Sequence, residues 1–167
     1  PEYRGGSPLH WQLINNEKYF WISVLTINKG IDMGNLIEEK KFLIKDNYGI
    51  SDLQKISDDN FPKLIIKSIK KIMFGKKFKK INEKNSKVWP QRYSVNSYLD
   101  FASKDNNQII KLIRSCKNPY PAFGFIKGKK IVIRNAKISN KKLPIGVISK
   151  QKNKKYIGCK IGSILLN

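Results

Sequence analysis

Acidic residues, histidine and cysteine are all scarce in this sequence, and each shortage excludes something. A single histidine, His10, and no Asp/Glu cluster at ligand spacing leave no set of side chains for a metal. Two cysteines, Cys116 and Cys159, stand far apart without a CxxC pair, so a zinc ribbon and a disulfide framework are excluded and both read as small buried apolar residues. No apolar run approaches the roughly 20 residues that span a bilayer, and no charged-then-apolar leader opens the chain. The expectation is a soluble, cytoplasmic protein with no membrane partner. The chain begins at Pro1 inside what reads as a loop, as a fragment or processed chain would.

Against 12 Asp and Glu stand 34 Lys and Arg, giving a formal net charge of +22 and a pI near 10.0. Such an imbalance attracts polyanions, nucleic acid first and an anionic surface or phosphorylated small molecule after it. The excess is almost all lysine beside abundant Ile and Asn, a pattern that biased codon supply also produces. At 167 residues and 40% apolar content, the chain holds one ordinary domain or two small ones with a buried core.

The stretch from Trp21 to Ile27 alternates apolar and polar residues and is rich in β-branched and aromatic side chains, the pattern of a half-buried strand. Directly after it, Lys29-Gly30-Ile31-Asp32-Met33-Gly34 places one carboxylate between two glycines. A loop at a strand end is where a rigid scaffold positions functional groups. The same residues also suit a plain turn, with the glycines supplying unusual backbone angles and Asp32 capping the next segment.

Ser7-Pro8 signals a helix start, with Ser7 at the N-cap and Asn15-Asn16 at the end. A second extended run spans residues 35–44, with Leu36, Phe42 and Ile44 as core residues. Residues 51–56 read as a capped helical turn. A separate helix from Asn60-Phe61-Pro62 to Met73 is expected to turn Leu64, Ile65, Ile69, Ile72 and Met73 inward, with Lys63, Lys67, Lys70 and Lys71 on much of the rest. The lysine-rich stretch beginning at Lys76 reads as a linker over residues 76–96, between a domain at 1–75 and one at 97–167. In the latter, Ser103 caps a helix reaching Cys116, with Ile109, Ile110, Leu112 and Ile113 inward. Short strands at 123–126, 130–134, 145–149, 156–159 and 163–166 then suggest a small barrel.

Pro1-Glu2-Tyr3-Arg4-Gly5-Gly6-Ser7-Pro8-Leu9, then Asn15-Asn16-Glu17-Lys18, Ile22-Ser23-Val24 and Gly30-Ile31-Asp32-Met33-Gly34 resemble, in order and spacing, the second half of the catalytic domain of the methionyl-tRNA formyltransferase family. Asn118-Pro119-Tyr120-Pro121, Gly128-Lys129-Lys130-Ile131, Pro144-Ile145-Gly146-Val147-Ile148 and Gly158-Cys159-Lys160-Ile161-Gly162 resemble its C-terminal domain. The resemblance implies an α/β fold: the C-terminal half of a Rossmann-like formyltransferase domain followed by a small OB-like β-barrel. It also implies transfer of a formyl group from 10-formyltetrahydrofolate to a primary amine, without a metal. Asp32 matches the family's catalytic Asp, which holds a His protonated and manages the proton while that His and an Asn polarise the formyl oxygen. Pro1, Asn28, Lys29, Gly30, Ile31 and Asp32 match parts of the folate site, and Arg4 and Gly5 the substrate site. The family's Asn and His lie upstream of the motif that ends at Pro1, and His10 does not replace them. The 167-residue chain alone is therefore expected to be inactive.

Two acceptor amines compete: the methionyl group of initiator tRNA and the amino group of a nucleotide-linked sugar. The basic stretch from Lys63 to Lys87 favours tRNA. Pro8-Leu9-His10-Trp11 and Trp89-Pro90-Gln91-Arg92 resemble the amino-sugar branch instead, while Gly6 departs from it. A reading of another class is a non-catalytic basic RNA-binding remnant. Its stacking aromatics would be Tyr120, Phe123, Phe125 and Tyr156, which equally suit a core.

Overall fold

The computed structural model describes residues 3–81 and 87–166. The chain folds as two compact units, Pro1–Gln91 and Arg92–Asn167.

The first unit is mixed α/β. Strand β1 (Tyr3–Gly5) leads into helix α1 (Pro8–Ile14), and then β2 (Tyr19–Leu25) and β3 (Leu36–Leu43) form an antiparallel pair joined by the Asp32 loop. Helix α2 (Ile50–Met73) comes next, and β4 (Lys87–Trp89) returns to lie parallel to β1. The described strands thus make two separate two-stranded ladders, not one continuous parallel sheet. Leu13, Phe20, Ile22, Ile50, Leu53 and Leu64 form the core, with Phe20 stacked on Phe42 across the β2–β3 pair. Ser7 does precede α1, but in a left-handed conformation (φ 55°) with no side-chain capping bond, and its carbonyl accepts from the N–H groups of His10 and Trp11.

Helix α2 departs from the sequence expectation in two ways. It runs unbroken through Pro62, where a turn and a separate helix were anticipated. Proline there removes the hydrogen bond to the Asp58 carbonyl, but Asp58 and Pro62 are both exposed, so water can serve that carbonyl. The buried stripe is Ile50, Leu53, Ser57, Leu64 and Ser68, whereas Ile65, Ile69, Ile72 and Met73 face outward. Ser57 and Ser68 allow this because each hydroxyl donates to the carbonyl four residues back, satisfying its own polarity at 2.8 Å while presenting little bulk to the core. Glu38 on β3 fixes the helix from the other side, pairing with Lys67 at 3.1 Å and Lys71 at 2.5 Å. Bonding to Lys71, reinforced by Lys67, holds its carboxyl below the ordinary carboxylate value.

The stretch expected as a linker is partly built into sheet. Leu36 and Lys79 exchange backbone hydrogen bonds at 2.8 and 3.2 Å, and β4 pairs with β1, while residues from Arg92 onward belong to the second unit. A ladder uses only backbone groups, so lysines join it with their side chains in water. Lys84 lies outside the described residues.

In the second unit, a 3-10 turn (Ser94–Ser97) precedes α3 (Asn106–Arg114). The helix is capped by Asp105 rather than Ser103: Asp105 accepts from the Gln108 N–H, and Gln108 Oε1 accepts from the Asp105 N–H. Ile109, Leu112 and Ile113 are buried as expected, and Ile110 is partly buried. Strands β5 (Phe123–Ile126) and β6 (Lys129–Val132) form a hairpin. Strands β7 (Ala136–Ser139), β8 (Ile148–Gln151), β9 (Lys154–Gly158) and β10 (Ser163–Leu166) form an antiparallel sheet ordered β7-β10-β9-β8. A barrel needs one unbroken ladder. Here the β5–β6 hairpin is not laddered to the four-stranded sheet, so the described strands do not close into the small barrel that their spacing suggested and that the resemblance made OB-like.

Arg92 organises the start of this unit. Only 3% exposed, it donates to the Ser115 carbonyl at 2.7 Å, Ser97 Oγ at 2.9 Å and the Asn96 carbonyl at 3.4 Å. Cys159 is buried as anticipated, and burial pushes its thiol up to about 11. Cys116 is only partly buried, with its Sγ 3.2 Å from Arg92 Nη2.

Candidate active site

The Asp32 loop begins where β2 ends, and its shape is set by short-range bonds. Thr26 N–H donates to the Asn35 carbonyl and Thr26 Oγ1 accepts from the Asn35 N–H, closing the base of the loop. Asn28 uses both ends of its amide inside the loop: Oδ1 accepts from the Gly30 N–H at 3.0 Å and Nδ2 donates to the Met33 carbonyl at 2.7 Å. Gly34 is required by crowding, because a Cβ there would lie 1.4 Å from the Thr26 carbonyl oxygen. Asp32 itself sits at φ 50°, a left-handed conformation that Asp tolerates better than most residues.

That conformation turns the Asp32 carboxylate toward the start of the chain, where Oδ2 accepts the Gly5 N–H at 3.1 Å. Gly5 is in turn fixed by the β1–β4 pairing. Its φ is +93°, and a Cβ would come within 2.5 Å of the Trp89 carbonyl oxygen. The β4 side is secured by rings: Trp89 stacks on Tyr3 at 5.1 Å and packs against Trp11 at 5.2 Å, while the Trp11 Nε1–H donates to the Pro90 carbonyl.

Asp32 and Arg4 open onto one cleft of about 640 Å³, which Tyr3, Leu9, Gln12 and Trp21 also line. The structure therefore brings the loop carboxylate and the Arg4-Gly5 end of β1 together across 27 residues of chain. The other expected site residues are placed differently. Lys29 and Ile31 are exposed, Asn28 and Gly30 are engaged within the loop, and Pro1 lies outside the described residues. His10 is on α1 and does not line the cleft.

Gln12 and Trp21 were missed from sequence. Gln12 is 4% exposed, and its Oε1 is a buried acceptor without a partner beside the cleft. An amide at the inward position of an otherwise apolar helix face was the available signal. Trp21 read as an ordinary strand residue because its exposure depends on which face of β2 is covered. Among the described residues no group of three His, Cys, Asp or Glu side chains could hold a metal, and no helix is long and apolar enough to cross a membrane.

Residues 92–167 match the family described as formyl transferase, C-terminal domain. The methionyl-tRNA formyltransferase of Thermodesulfovibrio yellowstonii is 27% identical over 165 residues, which is 97% of this chain and 52% of that protein. This chain spans about half the length of the curated methionyl-tRNA formyltransferases it matches. Among solved structures, an N-formyltransferase from Helicobacter canadensis, in complex with folinic acid and dTDP-3-aminofucose, superposes with a TM-score of 0.76. It is 22% identical, and the match covers 99% of this chain and 61% of that one. HypX from Aquifex aeolicus in complex with tetrahydrofolic acid gives 0.77 at 16% identity, covering 99% of this chain and 30% of that one. At those identities the likeness is one of fold. Motifs, order and fold are thus similar to those of formyltransferases along both units, and residues 92–167 carry that family's C-terminal domain.

Proposed function

We propose that this chain carries part of the site of an enzyme that transfers a formyl group from 10-formyltetrahydrofolate to a primary amine, the methionyl group of initiator tRNA. The observation that carries the reading is the 3.1 Å bond from the Gly5 N–H to Asp32 Oδ2, which unites the two family motifs at one cleft. In the reaction the amine attacks the formyl carbon, negative charge grows on the formyl oxygen, and the carbon–nitrogen bond to the folate breaks as a proton moves from the amine to the leaving nitrogen. Asp32 takes the role its motif implies, holding and steering that proton. Because Gly5 occupies one carboxylate oxygen, the Asp32 group is oriented before any ligand arrives. The donor fits the cleft chemically: two rings, Tyr3 and Trp21, and the unmet Gln12 acceptor suit a flat heterocycle carrying N–H donors. No Asn-x-His pair occurs in the 167 residues, so the chain by itself is proposed to be inactive. The unit starting at Arg92 is proposed to be the family's C-terminal domain, and the first unit the C-terminal half of its Rossmann-like domain.

One observation favours the amino-sugar acceptor. The two segments resembling that branch meet in space, Trp11 against Trp89 with a bond to the Pro90 carbonyl. The lysine track that favours tRNA is also thinner than it looks in sequence, since Lys67 and Lys71 are engaged with Glu38.

The test is formyl transfer by the protein expressed from its natural reading frame, offered initiator methionyl-tRNA and a nucleotide-linked amino sugar in parallel, with Asp32→Asn as the comparison. Transfer to the tRNA that falls by about a hundredfold or more in the variant supports the reading. An unchanged rate in Asp32→Asn refutes the role of Asp32, and transfer to the sugar alone refutes the tRNA acceptor.

A further inference from the structure

Helix α2 carries a second apolar stripe that the described residues leave half exposed. At about 3.6 residues per turn, Phe61, Ile65, Ile69 and Ile72 fall on one line along the helix, about a quarter turn from the buried Leu64 and Ser68. Ile65 is 45% exposed, and Ile69 and Ile72 are 50% exposed. Phe61 packs against the core and also lines the Asp32 cleft, so the stripe starts at the cleft wall. Lys63, Lys67 and Lys70 project from the opposite side of the helix, and the stripe itself carries no charge. An uncharged row of large apolar side chains on a lysine-rich helix has the character of a core face without its cover.

The strands beside the stripe are incomplete in the same way. Among the described strands β2 is laddered to β3 alone. Trp21, Ile22 and Ser23 are consecutive and alternate between faces, yet all three line the cleft, so the cleft runs along the open edge of β2. A two-stranded ladder by itself is marginal. The methionyl-tRNA formyltransferase relative runs to about twice this chain's length, and because residues 92–167 match a C-terminal domain, the added length lies on the N-terminal side. Charge and area then choose the occupant. An uncharged stripe offers nothing to a polyanion or an acidic surface. Separate chains that associate stably bury about 800 Å² each, more than one part-buried and three half-exposed side chains supply. A segment of the same polypeptide is already at high effective concentration and needs far less. We propose that Phe61, Ile65, Ile69 and Ile72 form the seam on which an N-terminal segment of the same polypeptide, presenting an apolar sheet face, packs beside the Asp32 cleft. The inference rests on the proposed reading of the first unit as the C-terminal half of a Rossmann-like domain, and not on the formyl-transfer step.

The experiment is thiol labelling with a maleimide, read peptide by peptide in a mass spectrometer, on protein expressed from the natural reading frame. Ile69→Cys is compared with Lys63→Cys, on the opposite side of the helix. Position 69 is expected to label at least about a hundredfold more slowly than position 63, because reaction waits for the seam to open. In the 167-residue chain the two positions are expected to label at similar rates. Ile69→Lys is expected to lower the melting temperature of the natural-length protein by about 5 °C or more and to leave that of the 167-residue chain unchanged. The proposal is overturned if position 69 labels as fast as position 63 in the natural-length protein. It is also overturned if protection there vanishes on dilution while sedimentation shows a dimer dissociating, which gives the face to a second copy, or if it arises only on adding anionic vesicles, which gives it to a membrane. Formyl transfer by the same protein reports separately: transfer without protection rejects the seam alone, and protection without transfer rejects the chemistry alone.

Discussion

Replacing Arg92 by alanine should destabilise the second unit more than any surface substitution. The guanidinium donates to the Ser115 and Asn96 carbonyls, Ser97 Oγ and Cys116 Sγ from a site that is 3% exposed. Ser97 Oγ would keep its own bond to the Tyr120 carbonyl, and the Asn96 contact is long, so the principal loss is the 2.7 Å bond to Ser115 and the 2.9 Å bond to Ser97. A hydrogen bond from a charged donor is worth about 1.5–3 kcal/mol. Two of them, partly offset by no longer burying a charge, give a net loss of about 3 kcal/mol. For a chain of this size that corresponds to a melting temperature about 6–12 °C lower. Arg92→Lys should recover only part of this, because an ammonium is a point donor and cannot span the fork. The assay is thermal unfolding followed by circular dichroism. An Arg92→Ala variant melting within about 2 °C of the parent, less than 1 kcal/mol on the same scale, would refute the assignment of Arg92 as the anchor of the unit.

Gly5→Ala combines a backbone at φ +93° with a Cβ 2.5 Å from the Trp89 carbonyl oxygen, and is expected to cost about 2 kcal/mol or more, read as a lower urea midpoint. The same shift should displace the Gly5 N–H from Asp32, so on the proposed reading formyl transfer should fall together with stability. Glu38 supplies a pH dependence: its folded-state value lies below the ordinary 4.5 because Lys71 and Lys67 stabilise the carboxylate. A lowered folded value means stability that is present above about pH 4.5 and lost as pH falls through the folded value. Glu38→Gln should therefore lose about 1 kcal/mol at neutral pH and show a flatter acid limb in urea titrations from neutral to acidic pH. An acid limb as steep as that of the parent would count against the Lys71 pairing.

The sequence by itself determined the features that depend on near neighbours in the chain. The alternation from Trp21 to Ile27 placed β2, the two glycines around Asp32 placed the loop, and Asn118-Pro119 ended the segment that contains α3. Motif order carried the family, because several short motifs at set spacings are specific where one is not. Tertiary structure alone decided which face is covered and which distant segments meet. Helix α2 has two apolar stripes, and periodicity cannot choose between them. The β2–β3 pair chose the one whose serines bond their own helix, leaving Ile65, Ile69 and Ile72 outward. Phe123 and Phe125 suited a core and an exposed face equally for the same reason, since alternation fixes that residues share a face but not which way the face points. The junction of Asp32 with Gly5 and the pairing of β1 with β4 are contacts between segments 27 and 84 residues apart, Gly5 lying opposite Trp89 in the ladder. Such contacts leave no local periodic trace, so only the folded chain could place the candidate site.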